Sequence, residues 1–142
     1  MTPPLFPAEE AQQWLASAAR DLRLAELALA NMPPLAGEAL YHAQQAAEKA
    51  LKGFLVFSGT PYPLTHDLRT LLQRCEQLDA ELTLAVRPAI GLTQFAVRFR
   101  YPGEDQPTHE EALPWLDLAR LVCSEVSLRL PSPTPKRDNI AT

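Results

Sequence analysis

The chain has 142 residues, 46% of them hydrophobic and 21% charged, which is enough apolar material for one globular domain without disulfide staples. Thirteen basic residues against 17 acidic ones leave a net charge of −4, which argues against a protein that coats DNA or RNA, since those are usually basic. The two cysteines, Cys75 and Cys123, form no CxxC and no Cys/His cluster, so neither a disulfide framework nor a metal site is expected, and no cofactor motif is present.

Met1 to Pro7 carries three prolines and no basic region followed by an apolar one. It reads as a leader rather than a signal peptide. With no apolar run of membrane-spanning length, a cytoplasmic protein is expected. Pro7 suits a first helical turn, and Ala8 to Asn31 is rich in helix formers, with Trp14, Leu15, Ala18, Leu22, Ala25 and Leu29 on one apolar stripe. Asn31-Met32-Pro33-Pro34 stops this helix, because residues before proline avoid the α region.

A second helix is predicted from Ala36 to Ser58. Leu40, Ala43, Ala47, Leu51 and Phe54 form its apolar face, and Ala39, Ala46, Ala50 and Gly53 form an edge of small residues that admits a close neighbour. Gln44, Gln45, Glu48 and Lys52 make a narrow polar sector, expected to face outward. A helix so apolar around its circumference is expected to be central.

After the loop from Gly59 to Pro63, Thr65 or Asp67 caps a third helix through Leu78, with Leu68, Leu71, Leu72 and Cys75 inward. A fourth helical stretch from Ala80 should bend at Pro88 and run to Tyr101-Pro102-Gly103. Thr108-His109-Glu110-Glu111 has the form of a capping box for a fifth helix ending at Leu130, with Trp115, Leu116, Ala119, Val122, Cys123 and Val126 inward. From Pro131 onward the chain lacks periodicity and reads as a tail. The expected class is all-α, an up-and-down antiparallel bundle of about five helices, with residues 8–130 as one domain.

With five glycines and no phosphate loop, function must come from side chains on helices and helix ends. Three groups stand out. Asp21, His42 and Lys49 lie at the borders of apolar faces and suit a covered ionic tie that sets helix register; a truly buried tie would cost about 3–5 kcal/mol to break by Asp21→Ala. Thr65-His66-Asp67 suits a helix cap, and its histidine could also meet an anion at the helix start. Arg98, Arg100 and Tyr101, followed by His109, could form a phosphate site or a solvated helix end. Leu24 and Leu27, expected on the outside of the first helix, hint at an association face.

The string from Tyr41 to Lys52, YHAQQAAEKALK, resembles the signature helix of HEPN domains. Trp14, Ala18 and Asp21-Leu22, then Thr65-His66-Asp67-Leu68, then Arg100-Tyr101-Pro102 follow in the order expected for that family, so the resemblance runs from Trp14 to Leu130. It implies a helical bundle, commonly a homodimer, often paired with a minimal nucleotidyltransferase in a toxin–antitoxin system. Catalytic members are ribonucleases with an Arg-x4–6-His motif. Here His42 and His66 have no arginine at that distance, and eight residues separate Arg100 from His109. The reading is therefore a non-catalytic protein that binds a nucleotide, a nucleotidyltransferase partner, or both. Lys49, His66, Arg98, Arg100 and Tyr101 are the expected nucleotide contacts, and Asp21, His42 and Lys49 the structural polar group. The alternative is an RNA-cleaving toxin using Arg100 and His109.

Overall fold

A computed structural model describes residues 6–131 of the chain; residues 1–5 of the expected leader and 132–142 of the expected tail lie outside the described residues. Five α-helices follow in order: α1 Pro7–Ala30, α2 Ala36–Phe57, α3 Leu68–Glu76, α4 Ala80–Val86 and α5 His109–Arg129, with a 3-10 segment Arg87–Ala96 after α4. No strand occurs among the described residues. The class is all-α, as expected.

Helix α2 is the central element and touches α1, α3, α5 and the 3-10 segment. Its whole predicted apolar face (Leu40, Ala43, Ala47, Leu51, Phe54) is buried. So is the small edge, where a Cβ on Gly53 would sit 3.0 Å from Trp14 Cβ and 3.3 Å from the Ala11 carbonyl, which shows how closely α1 crosses. The α1 stripe is split: Ala18, Ala25 and Leu29 are buried, while Trp14, Leu15 and Leu22 are half-buried.

The predicted caps are present. Asp67 caps α3 by accepting from Arg69 N at 3.0 Å, and Thr65 Oγ1 accepts from Asp67 N at 3.0 Å. Thr108 and Glu111 form the reciprocal capping box of α5.

The fourth helical stretch departs from expectation. Pro88 has no N–H to give to the turn before it, so the α-helix ends at Val86 and the chain tightens into the 3-10 segment, which stops at Ala96 rather than Tyr101. Phe99 then takes φ 66°, a left-handed conformation that reverses the chain. Its ring stacks on Phe95 at 6.0 Å between centroids, and Phe95 in turn meets the edge of Trp115 at 5.3 Å.

Asp79 ties α4 to the end of α5. It accepts from Leu82 N at 2.9 Å as the α4 cap and from Arg129 Nε at 2.7 Å. These bonds, the backbone one first, hold the Asp79 carboxyl below its ordinary value of 3.8. A group lowered in this way contributes stability at pH values above its ordinary value, and that contribution is lost as the pH falls through its folded value. Asp79→Ala is expected to lower stability by about 1–2 kcal/mol at neutral pH through loss of the cap. In urea melts, the gap between wild type and Asp79→Asn should narrow as the pH drops below the ordinary carboxylate range. A gap that stays constant down to strongly acidic pH would show that the Asp79 charge, through the cap and the Arg129 contact together, contributes nothing.

Candidate functional site

Two carboxylates organise the polar chemistry of α2, each gripped by one lysine and one imidazole. The first is Asp21 of α1, which is buried. His42 Nδ1 lies 2.8 Å from its Oδ1, and Lys49 Nζ lies 2.6 Å from its Oδ2. His42 and Lys49 are seven residues apart on α2, two helical turns, so one carboxylate on the neighbouring helix reaches both. The covered tie expected of Asp21, His42 and Lys49 is present, with both partners on the one carboxylate.

The second is Glu48, and here the sequence-based placement is corrected. Gln44, Glu48 and Lys52 were expected to face outward, yet all three are buried. Lys52 Nζ lies 3.3 Å from Glu48 Oε2, while Glu48 Oε1 accepts from Gln44 Nε2 at 3.2 Å and meets His66 Nδ1 at 2.7 Å. Gln44 Nε2 also donates to the His66 carbonyl at 3.2 Å. The covering element is the 59–67 loop. Its Tyr62 ring stands edge-on to Trp14 at 5.4 Å, and the Lys52 ammonium lies 5.6 Å from Tyr62 and 5.9 Å from Trp14. The His66 side chain itself remains 68% exposed, so its ring is pinned from below with its outer edge in solvent.

A cleft of about 200 Å³ opens at the start of α2, lined by Gly37, Glu38, Tyr41, His42, Phe99 and Arg100. The Arg100 guanidinium lies 4.4 Å from the Tyr41 ring centroid, with Nη1 donating to the Ala96 carbonyl at 3.2 Å. Tyr41 and His42 meet edge to face at 5.2 Å. Gly37 is what lets the returning segment come so close: a Cβ there would lie 2.9 Å from Phe99 Cβ and would also run into the Gln106 side-chain oxygen.

Of the residues expected to contact nucleotide, Arg100 lines this cleft. Lys49 is held by Asp21 and His66 by Glu48. Arg98 bonds the Gln94 side chain and covers the Phe99 ring at 4.6 Å, and Tyr101 is exposed. His109 opens α5 and is not among the residues lining the cleft. Of the five expected contacts, only Arg100 lines this cleft. Tyr41 and His42 line the cleft without having been expected there, because the opposite wall, Phe99 and Arg100, follows the left-handed turn at Phe99. Glu48 was also missed as a cluster centre. Its only sequence signal was the neighbouring Gln44 and Lys52 at helical spacing.

Cys75 is buried and Cys123 half-buried. Burial first, with Asp79 beside Cys75 and Asp21 beside Cys123, pushes both thiols up to about 12, so they carry little thiolate at neutral pH. Among the described residues no group of three or more His, Cys, Asp or Glu is placed to hold a metal, and no helix is long and apolar enough to cross a membrane.

The family model for the HEPN domain matches residues 11–129. The crystal structure of TT1696 from Thermus thermophilus is similar, with 31% sequence identity and a TM-score of 0.68, covering 84% of this chain and 98% of that one. No curated protein matches the chain. The family match runs from the first turns of α1 to the end of α5, across both carboxylate clusters and the cleft, and the chain belongs to the HEPN domain family.

Proposed function

We propose that this is a non-catalytic HEPN-domain protein that binds a nucleotide at the cleft beside the start of α2 and acts with a nucleotidyltransferase partner in a toxin–antitoxin type pair. The observation that carries the reading is the convergence of Arg100, Tyr41 and His42 on one cleft. A guanidinium already laid across an aromatic ring presents its outer N–H edge to a phosphate. His42 adds a second polar group, and its Nδ1 bond to Asp21 fixes the orientation of the ring. The cleft is small for a drug-sized ligand, so it suits the phosphate-bearing part of a nucleotide rather than the whole molecule. A homodimer fits the half-exposed Leu24 and Leu27 on the outer side of α1.

Calorimetry with AMP, ATP and GTP at low salt tests the binding step. Saturable heat is expected, with affinity falling about tenfold or more in Arg100→Ala, since a charge-assisted bond is worth roughly 1.5–3 kcal/mol. Arg100 is exposed, so the variant should fold normally. No heat with any of the three, from a protein with an intact melting transition, would sink the reading. Cleavage of RNA that disappears in both Arg100→Ala and His109→Ala would replace it with a ribonuclease. Recovery of a stoichiometric nucleotidyltransferase on affinity capture from the native lysate would support the partner.

A further inference from the structure

A groove of about 600 Å³ runs between α3 and the α4/3-10 stretch, on a part of the surface distinct from the α2 cleft, and its lining shares no residue with it. One wall is Arg69, Gln73 and Glu76 of α3, at i, i+4 and i+7, which places them on one helical face. The other wall is Thr83, Arg87 and Ile90, at the same spacing, with Leu72 and Gly91 also lining it. Two cross-bonds set the register of the walls. Thr83 Oγ1 lies 3.5 Å from the Leu72 carbonyl, and Leu68 N donates to Thr93 Oγ1 at 3.1 Å. The walls therefore run antiparallel. Arg69 sits near the level of Ile90 and Gly91 at one end, with Arg87 a turn away, and Glu76 sits at the other end beside the turn into α4.

The charges of the groove are unspent. Among the described residues, ion pairs or side-chain hydrogen bonds engage Arg23, Arg98, Arg100, Arg120, Arg129, Lys49 and Lys52, but not Arg20, Arg69, Arg74 or Arg87, and of these four Arg69 and Arg87 line the groove. A chain with a net charge of −4 has carboxylates to spare, yet among the described residues none pairs with these two guanidiniums on facing walls of one groove. Between them lie the apolar Leu72 and Ile90 and the bare backbone of Gly91. Gly91 lines the groove with its backbone; a Cβ there would point at Trp115, 2.5 Å from Cη2, rather than into the groove.

We infer that this groove is a binding site for a small amphiphilic oxyanion, with its phosphate or carboxylate between Arg69 and Arg87 and its flat apolar body over Gly91, Leu72 and Ile90. Both guanidiniums offer planar, paired donors that match such a group. The volume lies in the range of small-molecule sites. Glu76 at the far end turns away a second negative charge and sets the direction in which the ligand lies. The proposal concerns a site separate from the nucleotide cleft and stands or falls independently of it.

The test uses three probes on the full chain: 1-naphthyl phosphate, 1-naphthoate and inorganic phosphate, followed by nitrogen-15 NMR of the Gly91 amide and the arginine Nε groups. Saturable shifts of Gly91, Arg69 and Arg87 are expected with a naphthyl anion, and inorganic phosphate alone should bind more weakly. A response to 1-naphthyl phosphate alone assigns the site to phosphate esters; an equal response to 1-naphthoate assigns it to oxyanions of both kinds. Arg69→Gln and Arg87→Gln should each weaken binding about tenfold, while Arg74→Gln on the same helix leaves it unchanged. All three arginines are exposed, so the variants should keep the wild-type melt. No saturable shift at Gly91 with either naphthyl anion would overturn the proposal. So would an equal loss in Arg74→Gln, which would mean diffuse charge attraction.

Discussion

Glu48→Ala is expected to destabilise the protein by about 3–5 kcal/mol, the usual cost of leaving one partner of a buried ion pair uncompensated. Alanine is the better helix former, so secondary structure loses nothing and the whole effect comes from the cluster. Glu48 and Lys52 have side-chain exposures of only 5% and 10%. Without the carboxylate, the Lys52 ammonium keeps only the faces of Tyr62 and Trp14, each worth about 0.5–2 kcal/mol. Gln44, which is fully covered, loses its Glu48 acceptor and keeps its bond to the His66 carbonyl. His66 loses its anchor at little direct cost because it is mostly exposed, but the 59–67 loop loses its latch on α2. Urea unfolding measures the loss. The double variant Glu48→Ala/Lys52→Met should recover much of it, since no charge then remains stranded. A single-variant loss below about 1 kcal/mol would mean that Lys52 swings to water and that the cluster is not a buried tie.

Asp21→Ala is expected to cost about 2–3 kcal/mol, less than Glu48→Ala although Asp21 also holds two cationic or imidazole partners. The difference lies with the partners. Lys49 and His42 have side-chain exposures of 26% and 29%, so each can be rehydrated when the carboxylate goes. The range of about 3–5 kcal/mol for a truly buried tie therefore applies to Glu48 and not to Asp21. Because His42 also lines the α2 cleft, Asp21→Ala should weaken nucleotide binding as well as stability, whereas Glu48→Ala should leave the cleft intact in whatever fraction remains folded. Melting curves paired with calorimetry separate these outcomes. A loss below about 1 kcal/mol for Asp21→Ala would show that the α1–α2 tie is no more than a surface pair.

Much of this molecule is local and was therefore readable. Helix formers, the apolar face of α2, the Asp67 and Thr108 caps and the prolines after α1 act within one or two helical turns, so their spacing alone places α1, α2, α3 and α5. The same spacing put Asp21, His42 and Lys49 at the borders of apolar faces. Pro88 was readable as a disruption but not in its outcome. Whether a proline bends an α-helix or converts the next turns to 3-10 depends on what the segment packs against, and here Gly91 lies against Trp115 from α5. The polar sector of α2 was misplaced for a related reason. A helical wheel says which residues share a face, not whether a distant segment will cover it. The cover is the 59–67 loop, whose His66 and Tyr62 reach back to Glu48 and Lys52.

Short-range periodicity and one contiguous string were enough to place the helices, their caps, the central role of α2 and the family. They could not say which carboxylate meets which cation, that Arg100 lies on Tyr41 beside His42, or that Arg69 and Arg87 share a groove. Each of these contacts joins residues many turns apart, through crossings and chain reversals set by the packing of whole elements.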